Sequence, residues 1–188
     1  MKFSYTSFPQ LLTERLLLRQ LSLKDEEQIF ALRSDETVNK YLDRAKASSI
    51  EDARAFINKI NLGVHASFFW AICFREESQL VGTICLWNFS EEENKAEIGY
   101  ELLPQFHGQG IMQEAFLTVI EFGFRNLELS SIDAWTTIQN TSSIKILERN
   151  LFKRDVTLEN KIDRAIEGPD LIIYSLSKEA FIQRASVY

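Results

Sequence analysis

Two glycines at alternate positions stand in Gln105-Phe106-His107-Gly108-Gln109-Gly110-Ile111, between a strand-like run and a long amphipathic run. A helix that begins there presents unpaired backbone N–H groups and the positive end of its dipole, which suits an anion. Glycines let the backbone curl those N–H groups inward with no side chain in the way. The spacing therefore points to a phosphate or pyrophosphate cradle. Just before it, period two over Ala96–Leu103 puts Glu97, Gly99 and Glu101 on one face and Ile98, Tyr100 and Leu102 on the other.

The elements that must hold this loop can be read along the chain. Leu11 to Leu21 forms an opening strand with Arg15 and Arg19 as its charged positions. Ser22 and Ser49 each offer a helix cap followed by acidic residues in the first turn, and Asp35 starts a short helix to Leu42. The aromatic, β-branched runs SFFWAICFR and LVGTICLWNF, joined by EESQ, form a hairpin of buried strands. The next strand ends at the loop. Beyond the loop, Ile111, Ala115, Val119 and Phe122 form one apolar row and Phe116, Ile120, Gly123 and Leu127 another, a surface wide enough to pack on a sheet. SSIDAWTT is a strand, Asn140–Arg149 a short helix, LFKRDVTLE a strand and LIIYSLS the closing strand; KEAFIQRASVY is a surface tail or short helix.

A chain of 188 residues with 45% hydrophobic content and 14 phenylalanines fits one domain, residues 1–188, with an ordinary core. No apolar stretch approaches the roughly 20 residues that span a bilayer, and no apolar signal core precedes the first charges, so a cytoplasmic location without membrane contact is expected. Cys73 and Cys85 match no metal spacing and read as buried thiols, and two histidines leave little for a metal site, so none is expected. On a hairpin turning at Glu76–Gln79, Cys73 would face Gly82. The net charge of −6 argues against nucleic acid and is compatible with a cationic substrate such as an amine.

The order strand, helices, three meandering strands, helix, strand, helix, two strands, with Gln105-x-x-Gly108-x-Gly110 after the fourth strand, resembles the GNAT superfamily of N-acetyltransferases. Ala96-Glu97-Ile98-Gly99-Tyr100-Glu101-Leu102, Glu114-Ala115 and the opening Thr13-Glu14-Arg15-Leu16 look most like its RimJ/RimL branch, which includes acetylators of ribosomal-protein N-termini. The resemblance implies an α/β (α+β) fold with a central mixed, mostly antiparallel, six- to seven-stranded sheet, splayed between strands 4 and 5 and flanked by helices. It implies acetyl-CoA as cosubstrate and an amine acceptor: a protein N-terminal α-amine, or a polyamine or amino-sugar. A non-catalytic acyl-CoA sensor is the competing class, and a monomer or homodimer is expected.

On this reading Gln105, Phe106, His107, Gly108, Gln109, Gly110 and Ile111 bind the pyrophosphate. Backbone groups of Glu101, Leu102 and Leu103 pair with the pantetheine amides, and one N–H there holds the thioester oxyanion. An alkylammonium has a pKa near 10 and an α-amino group near 8, so a base must free the attacking amine. Glu101 and Glu97 are candidates on the fourth strand, with Glu101 nearer the splay, and Glu159 is a third by family resemblance. Asn140-Thr141-Ser142-Ser143 resembles the family's N-x-x-S. The resemblance gives Asn140 a cofactor contact and Ser143 the role of donor to the departing sulfur, and the tyrosine of other branches is absent from Glu148–Phe152. A helix cap at Asn140 and a first-turn place for Ser143 are the plainer alternative. His107 is expected to face solvent.

Overall fold

The computed structural model describes residues 8–63 and 67–185. The reading of the first seven residues and the end of the C-terminal tail lie outside that range. One eight-stranded sheet runs in the order β1-β2-β3-β4-β5-β6-β8-β7. Its strands are β1 (Leu11–Leu12), β2 (Leu16–Gln20), β3 (Phe68–Phe74), β4 (Leu80–Ser90), β5 (Lys95–Leu102), β6 (Ser131–Thr137), β7 (Lys153–Arg154) and β8 (Leu171–Ser177). Every neighbouring pair is antiparallel except β5 and β6.

The strand count exceeds the expected six to seven because the opening strand is broken. Thr13 turns the chain: its N–H donates to Leu16 O, and its Oγ1 accepts from the Leu16 N–H. The run LFKRDVTLE yields only the two residues of β7. Asp155 then accepts from the Leu158 N–H and caps α6 (Val156–Glu159), so the local side-chain bond overrides strand propensity. A register shift between Ile72 and Cys73 sets Cys73 opposite Leu80 and moves Gly82 to Ile72, one place from the expected register. Both cysteines are buried and free.

On one face of the sheet lie α1 (Glu26–Ser34), α2 (Glu36–Asn39) and α3 (Ile50–Asn61), of which α2 is shorter than the helix expected to reach Leu42. Their core joins Ile29, Leu32, Ala53 and Ile57 to Ala71, Cys73 and Leu80. Ser49 and Asp52 close a reciprocal capping box at the start of α3, as the Ser49-x-x-Asp52 spacing dictates. The other face packs against α4 (Ile111–Arg125), with Ile111, Ala115, Phe116, Val119, Ile120 and Phe122 all buried. The helix α5 (Thr141–Arg149) adds Leu147 to that core, and the helix α8 (Lys178–Ala185) brings Phe181 against Phe124. A short α7 (Arg164–Glu167) lies in the stretch expected to be loop.

Two close approaches fix the strand that matters most. A Cβ on Gly82 would stand 2.5 Å from Glu101 O and 3.1 Å from Leu102 Cα, so only glycine lets β4 pass this close to the end of β5. On the helical side, a Cβ on Gly123 would meet Ile132 Cδ1 at 2.9 Å, which seats α4 deep on the sheet.

Candidate active site

The fold opens a gap between the two parallel strands. β5 keeps unbroken register with β4 from Trp87↔Glu97 to Gly82↔Leu102, but pairs with β6 only at Lys95↔Ser131, Ala96↔Ile132 and Glu97↔Asp133. Beyond Glu97 the two strands separate, and the crossovers to α4 and α5 both leave from the separated ends. Carboxyl ends of parallel strands that part company are where α/β folds build ligand crevices. The Leu103 N–H donates to Val81 O, so strand alternation turns the N–H and C=O of Leu102 and Tyr100 into the gap. The expected donor set of Glu101 to Leu103 therefore narrows: Leu103 is spent on β4, and the backbone of Glu101 faces β4 as well.

The loop is built as a concave donor surface, displaced from the expected span. Pro104, Gln105 and Phe106 form a 3-10 turn in which the Phe106 N–H donates to Leu103 O and the His107 N–H to Pro104 O. Those two donors are used. The N–H groups of Gly108, Gln109, Gly110, Ile111, Met112 and Gln113 make no hydrogen bond among the described residues. Gly108 and Gly110 have φ of +74° and +75°, a region that favours glycine, and no atom stands within 4 Å of a Cβ placed on Gly108. Six free donors at the start of a 15-residue helix fit a pyrophosphate. Thr137 Oγ1, at the end of β6 that faces the gap, is buried and has no partner among the described residues.

Side chains brace this loop from three directions. His107 is exposed, as expected, yet its ring is tied down: its Nε2–H donates to Leu102 O at 2.8 Å. Gln109 Nε2 donates to Gln105 O, and Phe106 packs edge-on against Phe74. From the opposite edge of the sheet, Arg15 Nη1 donates to Gln109 O at 3.1 Å, and its Nε meets Glu114 Oε2 at 2.6 Å. Thr13 Oγ1 and the Arg15 N–H complete the bonds to Glu114 Oε1. Burial alone would push the Glu114 carboxyl up, but these bonds outweigh it and hold the group below its ordinary value.

The three candidate carboxylates have unequal surroundings. Glu101 is buried on the α1–α3 side and is paired with Arg44 Nη2 at 2.5 Å, with Thr83 Oγ1 donating at 3.1 Å. Glu159 is 3% exposed, clasped by Arg154 Nε and Nη2 at 2.8 and 2.9 Å, and accepts the Ile173 N–H. It binds α6 to the β7–β8 pair. Glu97 has no guanidinium partner among the described residues. Its Oε1 takes a 2.5 Å bond from Asn88 Nδ2, aimed there by a positive φ of 48° in a register shift of β4. Burial raises the Glu97 carboxyl above its ordinary value, against the Asn88 bond, and the neighbouring Asp133 adds to the rise. Glu97 lines a cavity of about 360 Å³ with Asn88, Asp133, Trp135 and Lys161. Asp133 itself is held by Ser175 Oγ at 2.6 Å and Lys95 Nζ at 3.5 Å.

Across the gap, Asn140 Oδ1 caps α5 by accepting the Ser143 N–H at 3.2 Å, so its side-chain oxygen acts as a helix cap. Ser143 Oγ lies 2.7 Å from Tyr100 Oη. Reading the sequence assigned no chemistry to Tyr100, Arg15 or Arg44. The one available signal was a tyrosine between Ile98 and Leu102 on an otherwise apolar face.

Comparison with known proteins gives these geometries a context. The description "Acetyltransferase (GNAT) domain" matches residues 15–153. The uncharacterized N-acetyltransferase p20 of Bacillus licheniformis is 34% identical over 91% of this chain and 97% of its own. YdaF of Bacillus subtilis (strain 168), named provisionally as a ribosomal N-acetyltransferase, is 27% identical over 88% of this chain and 92% of its own. A GNAT-family acetyltransferase from Bacillus anthracis superposes with a TM-score of 0.76, at 28% identity over 91% of this chain and 99% of its own. RimL, a ribosomal L7/L12 α-N-protein acetyltransferase solved with coenzyme A, shares the fold at a TM-score of 0.75 and 18% identity, over 92% and 99% of the two chains.

Proposed function

We propose, from the premise that this chain belongs to the GNAT acetyltransferase family and takes its acetyl group from acetyl-CoA, that it acetylates a protein or peptide N-terminal α-amine with Glu97 as the base. The observation that carries this reading is the contrast among the three carboxylates. Glu101 and Glu159 are neutralised by arginines, whereas Glu97 is half-buried, without a guanidinium partner among the described residues and open to a cavity. Burial raises the Glu97 carboxyl and so makes it a stronger base, and an α-amine, with a pKa near 8, gives up its proton more readily than an alkylammonium. The likeness to YdaF supports a ribosomal-type N-terminus as the first acceptor to try.

In this reading the N–H groups of Gly108 to Gln113 hold the pyrophosphate, and His107 fixes the Leu102 carbonyl beside the pantetheine path. The Leu102 and Tyr100 backbone groups that face the gap supply hydrogen bonds to the pantetheine and to the thioester oxygen. The acceptor enters from the Glu97 side, so amine and thioester meet through the opening between β5 and β6. Glu97 accepts the amine proton directly or through a water. The new N–C bond then forms, and Ser143 donates a hydrogen bond to the sulfur as the C–S bond breaks.

Thiol release from acetyl-CoA, measured across a panel of N-terminal peptides, polyamines and amino-sugars, tests the acceptor. Turnover is expected on peptides with a free α-amine and none on the same peptides blocked at the N-terminus. Faster turnover on polyamines or amino-sugars than on every peptide would overturn the α-amine reading. Tight acetyl-CoA binding with no turnover on the whole panel would leave a sensor in its place.

A further inference from the structure

The Tyr100–Ser143 pair bridges the gap that the two parallel strands leave open. Tyr100 comes from β5 and Ser143 from the first turn of α5, and their oxygens lie 2.7 Å apart. The ring of Tyr100 is fixed edge-on to Phe116 of α4, with centroids 5.1 Å apart at 87°. Phe116 is itself fully buried against Phe152. The hydroxyl therefore has a defined position. Among the described residues, Tyr100 Oη has Ser143 Oγ as its hydrogen-bond partner, and Ser143 Oγ has Tyr100 Oη. Both residues are half-buried, and hydroxyls shielded from water are normally satisfied, so this bond persists unless something replaces it.

Resting on the Ser143 role given above, we propose that Tyr100 is a positioning residue that donates a hydrogen bond to Ser143 Oγ and so turns the serine's own O–H toward the departing sulfur. A lone serine hydroxyl rotates freely and can be donor or acceptor. Two hydroxyls in contact must choose, and the phenol is the more acidic of the two. Once Tyr100 donates, Ser143 has one hydrogen left, and the side of its oxygen away from the tyrosine is where that hydrogen goes. Chained hydrogen bonds polarise one another, so the second bond is also strengthened. Burial raises the Tyr100 phenol to about 12, against the lowering by its Ser143 bond, so it keeps its proton across the working pH range.

The balance of the step is simple. The amine nitrogen forms a bond to the acetyl carbon and gives its proton to the base. The C–S bond breaks with its electron pair on sulfur. Ser143 donates a hydrogen bond to that charge and Tyr100 donates one to Ser143 Oγ; neither gives up its proton, and the thiolate takes its proton from solvent. Neither hydroxyl is consumed and no other reactant is needed. The arrangement also gives a hydrogen-bond donor to a helix that holds no tyrosine between Glu148 and Phe152: the tyrosine is supplied by the strand.

The test compares Tyr100→Phe, Ser143→Ala and the double variant, with acetyl-CoA and with its selenium analogue acetyl-seleno-CoA as donors. A selenolate is a weaker base than a thiolate and leaves with less help. Tyr100→Phe keeps the ring against Phe116, so folding should be retained, and an unchanged acetyl-CoA Kd and Tm would verify it. The expected result is a kcat about tenfold lower with acetyl-CoA, the size of one lost hydrogen bond, with KM unchanged. The deficit should shrink to about twofold or less with the selenium donor. Ser143→Ala should cost at least as much, and the double variant no more than Ser143→Ala, because the two act as one unit. If Ser143→Ala is slow but Tyr100→Phe matches wild type, or is equally slow on both donors, Tyr100 is a core residue and the proposal falls. If Ser143→Ala itself keeps the wild-type kcat, the role given to Ser143 falls first.

Discussion

The two halves of β5 are built for opposite purposes. Its first half, Lys95 to Glu97, is paired on both sides, to β4 and to β6, and there Glu97 is half-buried beside the buried Asp133. Its second half, Ile98 to Leu102, is paired only to β4 and offers its other edge to the gap. Full pairing excludes water and raises the carboxyl of Glu97; half pairing leaves backbone donors and acceptors for a ligand. On the proposed reading, one strand supplies a base on one face, a cofactor edge beyond it and the cradle at its end. The difference arises from where β6 stops following, not from any change of residue type along β5.

Breaking the first half should have the largest effect. Glu97→Gln is expected to lower kcat/KM by about 10²- to 10⁴-fold, the usual worth of a general base. It should also remove the acidic limb of the pH–rate profile, which burial places above the ordinary carboxylate range. A variant that keeps the limb would return the role to another group. Gly108→Asp attacks the other end. A side chain at a φ of +74° and a negative charge among free N–H groups should weaken acetyl-CoA binding by about tenfold or more, read by calorimetry.

Gly82→Ala tests whether β4 sets the position of the unpaired half. Its Cβ would press on Glu101 O and Leu102 Cα, so a loss of about 1–3 kcal/mol in denaturant unfolding is expected. A rise in KM for acetyl-CoA should accompany it, and wild-type stability would show that β5 can yield. Glu101→Gln should be milder in catalysis, with kcat changed by less than about threefold, because Arg44 already neutralises the carboxylate. A collapse in rate with an intact Tm would restore Glu101 as the base.

The smallest effect is one of sign. A carboxyl raised by burial stabilises the fold most while it stays protonated, and that stability is lost as pH rises through its elevated pKa. Glutamine cannot ionise, so the Tm of Glu97→Gln relative to wild type should improve from about pH 5 to about pH 8. No change in that difference would mean that Glu97 is not desolvated.

The glycine loop and the helix it starts were legible in the sequence because the residues that form them are consecutive. Glycine spacing, the strand before it and the helical period after it lie within about 30 consecutive residues. The faces of β5 were legible for the same reason. What each face meets was not. The partner of Glu101 is Arg44, 57 residues away, and the partner of Tyr100 is Ser143, 43 residues away. Nothing in the spacing of Glu97 and Glu101 distinguishes the paired carboxylate from the free one. Glu159 was misplaced for a different reason: β-branched residues in LFKRDVTLE favour a strand, but Asp155 caps a helix within it.

Thr13 and Arg15 stand almost a hundred positions before Glu114 and Gln109, yet they bind both the first turn of α4 and the loop that precedes it. The first two strands are therefore tied, energetically, to the glycine loop. Whatever ordering an anion confers on Gly108 to Gln113 must reach the start of the chain by linkage. Amide hydrogens of Leu16 to Gln20, at one edge of the sheet, should exchange more slowly when acetyl-CoA is bound at the other side of α4. The cosubstrate would then act as a fastener for the amino-terminal strands, and its depletion would leave them the first part of the sheet to open.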